Sequence, residues 1–283
     1  MAKPLSNLPP HQLINERGCR GIKINGWTLI SKKASILNSS EISQTEKLLG
    51  IPLPEMIFGN NELRLMHKSG FNFVFNAVDA LKRVDVTSKS NELIKVAYAK
   101  EWTSKSESNH ESIKDVIKPY DWTYTTDYAG TLEKSVNGQL FERTKEAIDI
   151  EKLKVREHIL FYDENILYED ELADNGTAIL TLKIRVMPSC FFILQRFFLR
   201  VDDVLFKMND TRVYHEFGTN SILREYTARE ESYDRIRSMI PKKQAGDVSM
   251  LTDENWVSSV LPLPKEQDIL REKIFVDGVG QAS

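Results

Sequence analysis

Apolar and polar positions alternate most cleanly over Leu180, Leu182, Ile184 and Val186, with Lys183 and Arg185 between them. Period two is the mark of a half-buried strand. Beyond Pro188 the run from Phe191 to Val201 is nearly all apolar, which suits a helix or a strand buried on both faces. The Asp202-Asp203 pair and the β-rich Val-Leu-Phe-Lys-Met that follows favour a hairpin. In that hairpin Val204, Phe206, Met208, Asp210, Arg212 and Tyr214 share one parity, so Met208 and Asp210 are expected side by side on one face.

The same period reappears earlier, over Ile22 and Ile24 before an Asn25-Gly26 turn, over Leu63 and Leu65, and over Phe71, Phe73 and Phe75. Trp27 is expected to point inward, and turns fall at Gly59-Asn60-Asn61 and Ser69-Gly70. Helical spacing runs from a cap at Ser39 or Ser40 through Ile42, Thr45, Leu48 and Leu49 to a stop at Gly50. Asn76 and Asp79 open a second helix, and Asp149 a third running over Ile150, Leu153 and Val155 toward Ile159. Strands are expected over Leu93–Trp102, Asp121–Tyr128 and Ile166–Leu172, with loops at 103–111 and 131–146 and a turn at Asp174-Asn175-Gly176. Leu223–Ile240 has a charged, helix-compatible second half, 241–247 reads as a break, and a short helix starting at Thr252 or Asp253 stops before Pro262 and Pro264. The organisation expected is a flexible lead over 1–20, one α+β domain over 21–275 built on antiparallel sheet with flanking helices, and a flexible tail over 276–283.

Charge narrows the function classes. With 38 basic and 41 acidic residues the net charge is -3, giving no global attraction for nucleic acid or an acidic membrane. Cys19 and Cys190 are too few and too far apart for a CxxC redox motif or a four-cysteine zinc site. Two reduced thiols, no signal-peptide core and no membrane-length apolar run make a cytoplasmic and also nuclear setting the expectation.

Candidate chemistry is sparse. His11, His67, His110, His158 and His215 show no metal-binding spacing, and a set of Asp210, His215 and Glu216 fails because the parity is mixed. No phosphate-binding glycine loop or nucleophile elbow is present, so no catalytic residue, metal ligand or cofactor is assigned. Asp121 with Asp127, or Glu169 with Glu171, could pair as acid and base in a hydrolase, and Trp122, Tyr124 and Tyr128 could stack on a sugar. Solvated carboxylates and core aromatics explain the same residues. The rival to chemistry is recognition: the Met208 face combines adaptable apolar contact with charge. A half-buried sheet whose Arg196, Arg200 and Arg212 pair internally is the alternative.

Several longer motifs then carry a resemblance: LPEMIFGNN (53–61), FNAVDAL (75–81), VIKPYDWTYTTDYAGT (116–131), KIRVMPSCFFILQRFFLRVD (183–202), MNDTRVYHE (208–216) and LREYT (223–227). In this order they resemble the TIPRL family of TOR signalling pathway regulators. The resemblance implies a non-enzymatic regulator with an α+β fold, binding catalytic subunits of type 2A-like serine/threonine phosphatases around the C-terminal tail. It implies that such binding favours an inactive, metal-poor enzyme, and it brings in a phosphatase-associated TOR-pathway protein as a further partner. By motif it implicates Asp79, Ile148, Met208 and Asp210 in partner binding, with Arg196 or Arg200 expected to receive a terminal carboxylate. A scaffold joining TOR-pathway proteins is the alternative reading.

Overall fold

The computed structural model describes residues 8–84, 120–241 and 248–277. Its architecture is mixed, with two antiparallel sheets and five short α-helices among the described residues. The smaller sheet joins β1 (His11–Glu16), β2 (Cys19–Ile24), β3 (Trp27–Lys32), β5 (Glu62–His67), β6 (Asn72–Asn76) and β7 (Thr131–Lys134), in that spatial order. The larger sheet runs β4 (Met56–Ile57), β9 (Phe161–Asp170), β10 (Gly176–Val186), β11 (Cys190–Val201), β12 (Leu205–Glu216), β13 (Ser221–Ser232), β14 (Leu270–Phe275) and β8 (Glu142–Arg143).

The two sheets face each other across one apolar core. Ile22, Leu29, Leu65, Phe73 and Phe75 from the smaller sheet join Leu180, Leu182, Ile184, Phe191, Ile193 and Phe197 from the larger. Trp27 crosses between them: its ring meets Phe191 edge-on at 5.1 Å, and its Nε1–H donates to His215 Nε2 at 3.0 Å. His215 closes this link by sharing a 2.9 Å hydrogen bond with the Ser221 carbonyl through Nδ1, so Nδ1 carries the proton and Nε2 accepts. Burial holds the imidazole pKa down at about 4.

The helices cap the edges and the outer face. In α1 (Ser39–Leu49) the cap is Asn38, one residue before the expected serine, because its side chain accepts from Ser40 and Glu41 while Glu41 reaches back to it. Gly50 ends the helix at φ 71° as expected. Asn76 caps α2 (Ala77–Leu81), Asp149 caps α3 (Ile150–Lys154), and Asp253 caps α5 (Glu254–Val260). Between the last two lies α4 (Tyr233–Ser238).

Several expectations are corrected. Strand β1 starts at His11, inside the stretch read as a lead. Residues 121–128 form no strand: Tyr124 sits at φ 55°, and side chains of Asp121, Thr123 and Thr126 bind neighbouring hydroxyl, amide and carbonyl groups instead. The 131–146 segment holds β7 and β8 rather than only loop. Helix α3 ends at Lys154, well short of Ile159, while in Leu223–Ile240 the helix-compatible second half does hold α4 and the first half is β13. Strand β14 is an element beyond those the sequence pattern predicts. The strand over 93–102, the loop over 103–111, most of the 241–247 break and all but two residues of the 276–283 tail lie outside the described residues.

Candidate functional site

Register places the residues of the larger sheet in rows across its outer face, the side turned away from the smaller sheet. One row reads Ile179, Phe198, Met208, Arg229, and the next Thr181, Arg196, Asp210, Thr227. Then come Lys183, Leu194, Arg212, Glu225, and finally Arg185, Phe192, Tyr214, Leu223. The opposite parity points inward, where the Asn209 amide donates to the Thr126 carbonyl at 2.8 Å and Thr211 to the Tyr128 carbonyl at 3.2 Å.

Helices cover the Met208 row. Phe198, Phe206 and Met208 pack with Tyr233 and Ile236 of α4 and Val257 of α5, leaving Met208 fully buried. The neighbouring row is ionic. Arg196 donates from Nε and a terminal nitrogen to the two Asp210 oxygens at 2.8 and 2.9 Å, a bidentate pair with side chains 8% and 0% exposed. Arg229 and Arg212 approach the same carboxylate at 3.7 and 3.6 Å. Arg229 is tied to α5 through the Ser258 carbonyl and hydroxyl, both at 2.8 Å, and burial with the nearby Arg196 and Arg212 charges lowers its pKa, against the pull of Asp210.

The Tyr214 row is covered from the other side. Ile148 packs with Met187, Cys190, Tyr214 and Leu223, with Leu153 and Phe192 against them. Glu225 ties down this strap: its Oε1 accepts from the Ile148 amide and from Arg271 Nε, each at 3.0 Å. Between helix α5 and the strap, the row of Lys183, Leu194 and Arg212 is only partly covered by the described residues. Four residues of strand separate the flanking rows, so the walls stand roughly 13 Å apart, room for one extended segment. At its β9–β10 end the groove opens into a cavity of about 220 Å³ lined by Leu153, Tyr162, Lys183, Arg185, Phe192 and Leu194 among others. The lining is thus mixed, with Leu153, Phe192 and Leu194 as its apolar part and Lys183, Arg185 and Arg212 as its cations.

Ile148, Met208 and Asp210 therefore gather around one groove, at the feet of its two walls. Asp79 does not join them. Its carboxylate accepts from Asn76, Thr131 and Lys82 at 2.9, 2.7 and 2.8 Å, beside Tyr128 on the inner side of the large sheet. Burial pushes that carboxyl up, yet these hydrogen bonds hold it below its ordinary value. Asp79 and the Met208 side chain therefore lie on opposite sides of the large sheet and do not share one cleft. Arg196 is spent on Asp210, and Arg200 on Asp202 at 2.8 Å, beyond the Met208 row. Arg212, 30% exposed in its side chain, and the exposed Arg185 are arginines that the groove presents, and row register is the signal that finds them.

Of the carboxylate pairs, Glu169 and Glu171 line a cavity of about 450 Å³ with Asp174 and Glu254, whereas the pairing of Asp121 with Asp127 fails on geometry. Asp127 binds Arg83 at 2.6 and 2.8 Å while Asp121 is buried against Thr123, so these carboxylates do not converge. Tyr124 and Tyr128 are core residues, 6% and 2% exposed.

The model of the TIP41-like family matches residues 56–237, spanning β4 to α4 and hence the groove floor. The chain belongs to the TIP41-like family. A human TIP41-like protein is 46% identical over 255 residues, covering 89% of each chain. A budding yeast relative named type 2A phosphatase activator TIP41 is 43% identical over 263 residues, 87% of this chain and 73% of its own. A fission yeast relative of the same name is 36% identical over 236 residues, covering 83% and 91%. The family resemblance carried by the sequence motifs is thereby borne out.

Proposed function

We propose that this TIP41-like chain regulates type 2A-like serine/threonine phosphatases without catalysis of its own, by binding their catalytic subunit. The outer-face groove docks an extended segment, the subunit's C-terminal tail, and binding holds the phosphatase in a latent form that modulates TOR signalling. One observation carries the reading: Ile148, Met208 and Asp210, from distant stretches of the chain, stand buried in the two walls of one groove that combines apolar and cationic lining. The yeast relatives, named for phosphatase activation, support the partner class.

Leu194→Arg tests it, because Leu194 is a half-buried floor residue whose replacement fills the groove with little damage to the core. Affinity for a purified type 2A catalytic subunit is expected to fall on the order of a hundredfold for this variant, and comparably when the tail is deleted. Affinity unchanged by both would move the docking surface elsewhere. Phosphatase activity measured in the same titration should fall on binding; a rise would overturn the latent-state part.

A further inference from the structure

Between α5 and β14 the chain reads Leu261-Pro262-Leu263-Pro264-Lys265, and the end of the helix accounts for only the first of those prolines. The backbone here is that of a polyproline II helix. Leu261 sits at φ −60°, ψ 143° and Lys265 at φ −68°, ψ 152°, close to the ideal of about −75° and 145°. The two rings fix φ near roughly −65° at Pro262 and Pro264, and a following proline drives Leu261 and Leu263 to the same region. With three residues per turn, Leu261 and Pro264 share one ridge, Pro262 and Lys265 a second, and Leu263 lies on the third. Burial follows that period. Leu261 is 3% exposed and packs with Ile236, Leu251 and Val257, Pro264 is half-buried, and Pro262, Leu263 and Lys265 are exposed. Leu263, at 86%, is the most exposed large apolar side chain among the described residues. The carbonyls of Pro262, Leu263 and Pro264 make no hydrogen bond to the described residues, whereas the Leu261 amide and the Lys265 carbonyl on either side are bonded to Val257 and Asp268 at 2.9 Å.

We propose that residues 261–265 form a ligand ridge for a partner protein domain that recognises polyproline II helices, a site separate from the outer-face groove. The partner's chemistry follows from the spacing. Pro262 and Pro264 are two apart and so fall on different ridges, and Pro264 turns toward the domain; a groove that grips two prolines three apart cannot engage both. The ridge fits a groove that clamps one proline, Pro262, between two aromatic rings and takes Leu263 in a neighbouring apolar pocket. An indole or phenol of that groove donates to the open carbonyls, and an acidic rim meets Lys265. WW-type domains are the module of that build. Leu261, anchored in the apolar layer beneath α4 and α5, holds the ridge in its bound conformation, so docking orders little further chain. No residue of the groove takes part, and the inference stands independently of the phosphatase reading.

The test titrates the full chain against a panel of purified WW domains, with SH3 domains, which grip paired prolines, for comparison. Saturable binding by at least one WW domain is expected, with backbone amide shifts centred on Leu263 and Lys265. Affinity should fall at least about tenfold in Pro262→Ala and in Leu263→Asp. Leu263→Asp changes an exposed side chain, so its thermal midpoint should match the wild type. No saturable binding in the panel, binding confined to SH3 domains, shifts centred elsewhere, or affinity unchanged in Leu263→Asp overturns the proposal. So does a WW domain whose binding is lost in Leu194→Arg and kept in Leu263→Asp, since that domain docks in the groove.

Discussion

Asp210 is buried among three guanidinium groups, so its replacement is expected to act through stability and not through a lost contact with a partner. Its side chain is fully buried and bound in a bidentate pair to Arg196, itself 8% exposed, with Arg229 at 3.7 Å. Removing the carboxylate leaves two desolvated guanidinium groups without their counter-ion. Breaking a buried pair from one side costs about 3–5 kcal/mol, far more than the pair contributes relative to an apolar replacement. Asp210→Asn keeps one carbonyl acceptor for Arg196 and belongs at about 3 kcal/mol; Asp210→Ala keeps none and belongs at about 5 kcal/mol. At roughly 2–4 °C per kcal/mol for a domain of this size, the Asn variant should melt about 6–12 °C below the wild type. The double variant Arg196→Met with Asp210→Leu should regain more than half of that loss, since it removes both charges together. Urea unfolding and thermal melts give the stabilities, and phosphatase binding is measured well below every midpoint. An Asp210→Asn protein within about 0.5 kcal/mol of wild type, yet unable to bind, would refute this reasoning and make the carboxylate a direct contact.

Three further outcomes follow from buried groups elsewhere. The unfolded His215 takes up its proton near the ordinary 6.5 and the folded one only at about 4, so the unfolded state binds more protons between those values. Stability contributed by the neutral ring is fully present above pH 6.5 and is lost as pH falls toward 4, roughly 3 kcal/mol in all; urea unfolding against pH should lose that slope in His215→Phe. Gly130→Ala should destabilise by about 2–3 kcal/mol, because φ is +87° and a Cβ there would lie 2.3 Å from the Phe73 ring; an unchanged midpoint would contradict the packing. Glu225→Ala should speed hydrogen exchange at the Ile148 amide at least about tenfold relative to β11 amides, and equal protection would show that the strap is held by packing alone.

Most of the two-sheet architecture was legible wherever one face is buried and the other wet. The Asn25-Gly26 hairpin, the alternating phenylalanines of β6 and the pair β11–β12 all follow from period and turn chemistry. What escaped was structure without that contrast. Strand β1 is exposed on both sides, so His11–Glu16 shows no alternation. Residues 121–128 carry strand-forming threonines and aromatics, but their hydroxyls bind the local chain and Tyr124 adopts positive φ, which composition does not reveal. Strand β13 carries Glu225 and Arg229 on the outer face as buried, ion-paired residues instead of as marks of a solvent face, so its charge pattern did not reveal a strand.

The groove was half legible for a related reason. Parity put Met208, Asp210 and Arg212 on one face of β12, but their neighbours depend on register across four strands. That register is set at the strand ends. The turn over Asp202, Asp203 and Val204, with Asp203 at φ 59°, pairs Val201 with Leu205 and so brings Arg196 opposite Asp210 and Leu194 opposite Arg212. At the same end, on the other flank of β11, Gly176 accepts φ +148° and lies so close to the Arg200 carbonyl that any Cβ would collide with it at 1.9 Å, fixing β10 on β11. A slip of one residue in either pairing would turn the ionic row into the apolar core, at the cost of burying Arg196 and Asp210 against phenylalanine. The apolar inner face thus enforces the position of the charged outer one, Arg212 included.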